Sequence, residues 1–420
     1  MNVTGIIAEY NPFHNGHAYQ IAEARKRTVA DYVIVILSGD FVQRGGPAIV
    51  DKYTRTRAAL EGGADLVLML PVTASTASAE NFAASGVGIL QATGVVTHLS
   101  FGLEASDAES YAFLEKCVPV LTCEPAAFQE SLAARLKAGD PYPAARAQAL
   151  LSSVDTSSLS SEQAQALLKE PNNILALEYL KQLSLYRDPI IPVPVARRAG
   201  SYHGSADGEI DPVSPSASVL RDALHHGQDD AAWQAAMPRG MADAILGLRK
   251  TRRLLCEDDF SQMLFLTLQL CIQNENKNLR VSEDLYRRIR KYFQDYTDWS
   301  SFTQLLKTKN ITYTAVNRTL TGILLGITAK ERAVMDKFSQ APYARILGFR
   351  KSAAPLLKEI GQNARIPVIT KPKAAEDTLD PELKLLFTRD IAASELWRYA
   401  SIKSLEDRPP CDYSQPLVIL

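Results

Sequence analysis

The sequence predicts an α/β protein: a Rossmann-like, doubly wound parallel sheet carrying a helical excursion, followed by a mostly helical second part. Three observations lead there. Short apolar, β-branched runs alternate with amphipathic stretches through the first hundred residues, which is how strands buried on both faces and their crossover helices read. Beyond about residue 230, apolar positions recur at three- and four-residue spacing, the period of helices with one buried face. The charge also divides: residues 1–240 hold 18 Lys and Arg against 26 Asp and Glu, and residues 241–420 hold 28 against 21.

Each element has a local cause. Residues 3–8 form the first predicted strand and 17–29 the first helix. Residues 31–37 are apolar on both faces and give the second strand, followed by a helix over 51–62, a strand over 65–70, a helix over 78–92 and a strand over 96–101. Right-handed crossovers between such strands build a sheet covered on both sides. From about 105 to 185 the chain is Ala-, Leu- and Gln-rich and reads as a helical excursion, broken by Pro141, Pro143 and the serines of 152–161. Pro189, Pro192 and Pro194 confine the returning strand over 189–195 to an edge or to strand ends. Helices follow at 241–255, 259–275, 281–293 and 313–328, with a short α/β piece at 342–370. The expected division is a sheet domain over 1–228 and a basic, mostly helical domain over 229–420.

Length and composition narrow the function classes. A chain of 420 residues exceeds one ordinary domain, and 46% hydrophobic with 22% charged residues is globular usage. No run approaches the roughly 18 apolar residues of a membrane span, and the first residues lack the basic and apolar regions of a secretory signal. The five cysteines, Cys117, Cys123, Cys256, Cys271 and Cys411, hold no C-x-x-C pair. They point to reduced thiols in a cytoplasm rather than to a disulfide framework or a zinc site. The window 301–370 has 11 Lys and Arg against only Glu331, Asp336 and Glu359, which makes it a candidate surface for a polyanion.

The segment Glu9-Tyr10-Asn11-Pro12-Phe13-His14-Asn15-Gly16-His17 directly follows the first predicted strand. It puts an H-x-G-H sequence at a strand-to-helix junction, where open α/β sheets bind ligands. A helix start offers unpaired N–H groups and the positive end of a dipole to phosphate. Gly16 removes a Cβ that would hold a phosphate or ribose away from the backbone. His14 and His17, three residues apart, can share one side of the first turn and donate to phosphoryl oxygens as charge builds there. Such a site positions two reactants for in-line displacement and needs no covalent enzyme intermediate. Zinc is the weaker reading, because no third ligand stands at a characteristic spacing.

With its neighbours, the motif resembles the H-x-G-H nucleotidylyltransferase superfamily and, within it, the tRNA(Met) cytidine acetate ligases. The matching blocks run from Gly5 to His17, Ser38 to Gly45 and Asp51 to Arg57, then Phe101-Gly102, Pro171-Asn172-Asn173-Ile174-Leu175, Arg197 to His203 and Arg345-Ile346-Leu347-Gly348-Phe349. The resemblance implies a nucleotidylyltransferase-type sheet and a two-step, ATP-dependent ligation. Acetate attacks the α-phosphorus of ATP, giving acetyl-adenylate and pyrophosphate. N4 of the wobble cytidine of elongator tRNA(Met) then takes the acetyl group and leaves AMP. The implied ATP site comprises Ile7, Ala8, Glu9, Tyr10, Asn11, Pro12, Phe13, His14, Asn15, Gly16, His17, Ala18, Tyr19 and Gln20, with Gly102, Asn173 and Arg198. The last two stand in doublets, so Asn172 and Arg197 are alternatives. Mg²⁺ arrives with the nucleotide in this scheme, keeping most of its waters.

Other blocks add candidates. Ser216-Ala217-Ser218-Val219-Leu220-Arg221 resembles the superfamily's second signature, S-[SG]-T-x-[IL]-R, with Ser218 in place of threonine, and implies β/γ-phosphate contacts from Ser216, Ser218 and Arg221. Arg44 with Gly45-Gly46 offers a cation and free backbone to a carboxylate or to pyrophosphate. Lys52 and Arg55 fall on one predicted helix face and are candidates to neutralise the triphosphate, with a solvated face as the other reading. His98 reads as a satisfied strand residue, His203 as a loop residue within reach of ligand, His225 and His226 as solvated, and Trp233, Trp299 and Trp397 as core. With a tRNA substrate implied, Lys307, Lys309, Arg318, Arg345, Arg350 and Lys351 become candidate phosphate contacts. Tyr313, Tyr343 and Phe349 become candidate platforms for unpaired bases. Two rivals remain. One is a cofactor-forming adenylyltransferase or pantoate-activating ligase, which has no need of a large basic half. The other is a nucleotide-regulated RNA-binding protein without turnover, against which the intact His14, Gly16 and His17 argue.

Overall fold

In the computed structural model, which describes residues 1–104, 107–197, 210–227, 230–273, 281–404, 406 and 408–420, the first hundred residues fold as their pattern predicts. Strands β1 (Val3–Ala8), β2 (Tyr32–Ser38), β3 (Leu66–Leu70) and β4 (His98–Leu103) alternate with helices α1 (Asn15–Thr28), α2 (Lys52–Glu61), α3 (Val72–Ser75) and α4 (Ala79–Ala92). After the helical excursion, β5 (Ile191–Ala196) pairs parallel to β4 at the sheet edge, with Pro192 opposite Leu99 and Pro194 opposite Phe101. An edge strand is where prolines, which bring no N–H donor, are tolerated.

The strand order is β5-β4-β1-β2-β3-β6-β7, and β8 also pairs with β6. The last three strands, β6 (Ala344–Phe349), β7 (Val368–Ile369) and β8 (Val418–Ile419), come from the second half of the chain. Strands β1 to β5 run parallel. From β1 the chain moves outward to β2 and β3 on one side, then crosses back to β4 and β5 on the other. Between β1 and β4 the order reverses, and the loops leaving their carboxyl ends part there to open a crevice.

Alternation along the strands splits the core. Ile34, Ile36, Leu66, Leu68 and Leu99 face α4 and the excursion, whereas Ile6, Val33, Val35, Leu37 and Val67 face α1 and α2. Each is fully buried, contributing about 1.5–3 kcal/mol by removal from water. A third cluster, built on Phe260, Leu264, Trp299, Phe302, Val316 and Trp397, draws mainly on helices of the second half, with Phe41 and Val72 joining from the first. Trp233 is buried too.

The basic half also enters the sheet. β6 pairs antiparallel to β3, with Met69 opposite Arg345 and Leu66 opposite Phe349. The apolar run around Ile346 and Leu347 covers the β3 edge that the first half leaves open. A cut at residue 228 therefore divides the sequence without dividing the sheet. Among the described residues no helix is long and apolar enough to cross a membrane.

Candidate active site

The crevice opens into a cavity of about 660 Å³, lined from both halves of the chain. The turn between β1 and α1 carries the histidine motif, and its backbone is unusual. Tyr10 has a φ of 50° and the Asn11–Pro12 bond is cis. Neighbours pin this turn from outside. Asn11 Oδ1 accepts from Ile49 N at 2.8 Å, and Asn11 O accepts from Arg221 Nη1 at 2.8 Å. Asn15 Nδ2 donates to Pro212 O at 2.8 Å and to Ala235 O at 2.9 Å.

His14 is the cap residue of α1 and His17 sits in its first turn. Their rings stack with centroids 3.6 Å apart and an interplanar angle of 22°. His14 N donates to His17 Nδ1 at 3.2 Å, so a neutral His17 carries its proton on Nε2. Gly16 is needed for this packing, because a Cβ there would stand 3.0 Å from His14 Cε1. Burial pushes His14 down to about 3, and the charges of Arg197 and Arg221 act in the same direction. Burial, reinforced by His14 and Arg197, holds His17 well below its ordinary value. Both rings are neutral at pH 7 without ligand. The negative charge of a bound polyphosphate acts in the opposite sense.

Charge is distributed unevenly through the cavity. Arg44, Arg197, Arg221 and Arg318 line it, together with Glu9. Further along the helix Pro171–Ser184 the charges are matched: Arg146 Nη2 lies 2.6 Å from Glu178 Oε1, and Lys181 Nζ lies 2.8 Å from Glu80 Oε1. At 1.5 Å per residue, Glu178 and Lys181 stand roughly 9 and 14 Å beyond Asn172 on the helix axis. The histidine end of the cavity is thus rich in arginine, and in the far lobe Arg146 and Lys181 are both paired.

Most of the predicted nucleotide residues meet here. Ile7, Ala8, Glu9, Tyr10, Asn11, His14, Gly16, His17, Tyr19, Gln20, Gly102, Ser216, Ser218 and Arg221 all line the cavity. Pro12, Phe13, Asn15 and Ala18 do not. Phe13 is core, and the Asn15 amide is used in anchoring the turn. The asparagine doublet resolves toward its alternative. Asn173 is fully buried and ties Leu167 O to Glu104 N, at 3.2 and 3.1 Å. One residue earlier on the helix, Asn172 lines the cavity and donates to Glu104 Oε1. Arg197 also lines it; Arg198 and His203 lie outside the described residues.

Lys52 and Arg55 require correction, since neither reaches the cavity. Lys52 Nζ is 2.8 Å from Asp40 Oδ2, 2.9 Å from Asp412 Oδ1 and 2.6 Å from Ser394 Oγ, which uses all three ammonium protons. Arg55 is 0% exposed. Its guanidinium donates to Glu9 O at 2.7 Å, Ser38 O at 3.0 Å, Val50 O at 3.1 Å and Gly39 O, clamping the carboxyl ends of β1 and β2 together. The proposed RNA contacts divide likewise. Lys307, Lys309 and Lys351 are exposed. Arg345 is buried and paired to Asp412 at 2.9 Å, Arg350 caps α2 through Leu60 O at 3.0 Å, and Arg318 lines the cavity. Tyr343 is buried with its hydroxyl 2.6 Å from Asp390, so it offers no stacking face.

Several cavity residues had no legible signal. Thr312 and Thr314 come from the second half, and Arg146 and Glu178 from separate helices of the excursion. Arg44 with its two glycines stood out in sequence as a ligand contact, whereas Arg318 stood out as an RNA contact and lines the cavity instead. His98 opens β4 with Nδ1 2.8 Å from Thr97 Oγ1, and His225 and His226 are exposed. Among the described residues no three His, Cys, Asp or Glu side chains are grouped to hold a metal.

Comparison with known proteins agrees with this geometry. The family described as HIGH Nucleotidyl Transferase matches residues 1–408. The tRNA(Met) cytidine acetate ligase of Acetivibrio thermocellus is 34% identical over 94% of both chains. That of Clostridium kluyveri is 36% identical over 91% of this chain and 93% of its own. The crystal structure of Thermotoga maritima TmcAL bound with alpha-thio ATP superposes with a TM-score of 0.88 at 27% identity, covering 100% of both chains.

Proposed function

The chain belongs to the HIGH nucleotidyl transferase family and, within it, to the tRNA(Met) cytidine acetate ligases, and we propose that it acetylates N4 of the wobble cytidine of elongator tRNA(Met) at the expense of ATP. The observation that supports this most is the stacked, neutral His14–His17 pair at the start of α1, facing a cavity end lined by arginines. ATP lies with its phosphates over that helix start and against Ser216, Ser218 and Arg221, while Gly102, Asn172 and Arg197 border the nucleoside side. Mg²⁺ travels with the nucleotide.

An oxygen of acetate attacks the α-phosphorus. The bond from phosphorus to the bridging oxygen breaks, and its electron pair leaves with pyrophosphate. Backbone N–H groups of α1 and the Nε2 proton of His17 donate to the α-phosphoryl oxygens as negative charge builds. The cytidine amine then attacks the acetyl carbonyl carbon, AMP departs with the electrons of the mixed-anhydride bond, and the amine nitrogen releases a proton. Exposed Lys307, Lys309 and Lys351 provide phosphate contacts for the RNA, and a tRNA substrate places the work in the cytoplasm.

Incubation with ATP, labelled acetate and elongator tRNA(Met) tests the proposal. Label is expected in the RNA as N4-acetylcytidine, with AMP and pyrophosphate formed in equal amounts. Label that enters without ATP, or no label at all, would contradict it.

A further inference from the structure

We propose that Arg318, from the basic half of the chain, binds the β- and γ-phosphates of ATP and holds the departing pyrophosphate. The inference rests on the ligase reading above and deepens it, since in sequence Arg318 belongs to a run that reads as an RNA-binding surface. Its position is fixed by two contacts with the loop after β2. Gly45 has a φ of +80°, and a Cβ there would fall 2.4 Å from Arg318 N, so the loop lies directly against the helix Tyr313–Leu324. Asn317, buried, donates to Gly45 O at 2.9 Å while its Oδ1 accepts from Trp299 Nε1 at 2.7 Å and Thr303 Oγ1 at 3.0 Å. Arg318 is therefore set beside the loop that carries Arg44, not on a mobile surface arm.

The guanidinium itself is half-buried in the cavity wall and has no hydrogen bond or ion pair among the described residues. Burial pushes its pKa down. A desolvated cation without a counter-charge is relieved by a bound anion. Thr312 and Thr314, at the amino end of the same helix, line the same cavity, where the helix dipole adds positive potential. Arg221 belongs to this neighbourhood: its charge acts on Glu257, which accepts from Asn317 Nδ2 at 3.2 Å.

Chemistry selects among the anions. Acetate carries a single charge, whereas cleavage at the α-phosphorus accumulates charge on the leaving pyrophosphate. Arg44, Arg221 and Arg318 match that build-up.

The test uses the full chain, with Arg318→Ala and the near-isosteric Arg318→Gln. Wild-type acetate-dependent ATP–pyrophosphate exchange is measured first; its absence would remove the ligase reading itself. Where the wild type exchanges, both variants are expected to lose about 10- to 100-fold in exchange rate and to raise the KM for pyrophosphate. Affinity for tRNA(Met), read by filter binding, is expected to stay within about twofold of wild type, as one phosphate contact among several would shift it more. Arg318→Lys is expected to restore part of the exchange. Wild-type exchange in a folded Arg318→Gln protein would overturn the proposal. Weakened tRNA binding with intact exchange would overturn it too, and assign the guanidinium to an RNA phosphate.

Discussion

Two groups of cations stand at the carboxyl edge of the sheet, and they have opposite fates. Lys52 and Arg55 are buried and saturated by Asp40, Asp412, Ser394 and the main-chain carbonyls at the ends of β1 and β2, and Arg345 is buried with its Nη2 on Asp412 and Tyr53. Burial works against the charge of Asp412, yet Lys52 and Arg345 hold its carboxyl well below the usual range. Arg44, Arg197, Arg221 and Arg318 instead line an open cavity with the two histidines. The first group stitches the second half of the chain to the loops of the first, and the second group faces the cavity. Residue type is the same in both; what separates them is whether the side chain is fully buried against acids and main-chain carbonyls or lines the cavity.

The contrast is tested most severely in the buried group. Lys52→Ala leaves Asp40 and Asp412 facing each other without their shared ammonium, and removing one partner of a buried pair costs about 3–5 kcal/mol. Denaturant unfolding is expected to show that loss, and a stable Lys52→Ala protein with defective pyrophosphate exchange would put Lys52 back among the catalytic groups.

In the open group the order of effects is reversed. His14→Ala or His17→Ala is expected to lower exchange by about 100- to 1,000-fold, the scale of one lost oxyanion donor, with a thermal unfolding temperature close to wild type. Near-normal exchange in either variant would remove the histidines from the chemistry.

The depressed histidine pKa values give a smaller effect with a defined sign. Folded His14 titrates at about 3 and His17 well below its ordinary value, while in the unfolded chain both titrate near 6.5. Unfolding therefore takes up protons once the pH drops below about 6.5, and the stability these rings carry as neutral groups is present above that pH and lost below it. For the ligand-free protein the loss at pH 5 is about 2 kcal/mol for His14, and His17 contributes in the same direction. His14→Asn is expected to flatten the fall in unfolding temperature between pH 7 and 5, and ATP is expected to reduce it. The smallest effect belongs to the exposed lysines. Lys307→Glu, Lys309→Glu or Lys351→Glu is each expected to weaken tRNA binding about three- to fivefold and to lower the salt slope by about one; salt-independent binding would take the RNA to another face.

Much of this was legible in the sequence, and the gaps share a cause. β1, β2, α1 and α4 follow from apolar runs and amphipathic spacing, and the H-x-G-H segment identifies its own site because strand, turn and helix start are local. Local pattern fails where a partner is distant. Lys52 sits 360 positions before Asp412 in the numbering, so no window reveals that its charge is already matched. Asn172 and Asn173 differ only in helix phase, and one residue of rotation sends the first to the cavity and the second into the core. β6 reads as a strand of the second half, yet the edge it covers belongs to β3, a pairing that only the closed sheet reveals.

Acetate-dependent ATP–pyrophosphate exchange by the purified protein without tRNA decides most directly whether the open cavity is an adenylating centre. Exchange that requires acetate and proceeds without RNA is expected. Exchange absent with and without tRNA, or supported by pantoate or nicotinate mononucleotide in place of acetate, would contradict it.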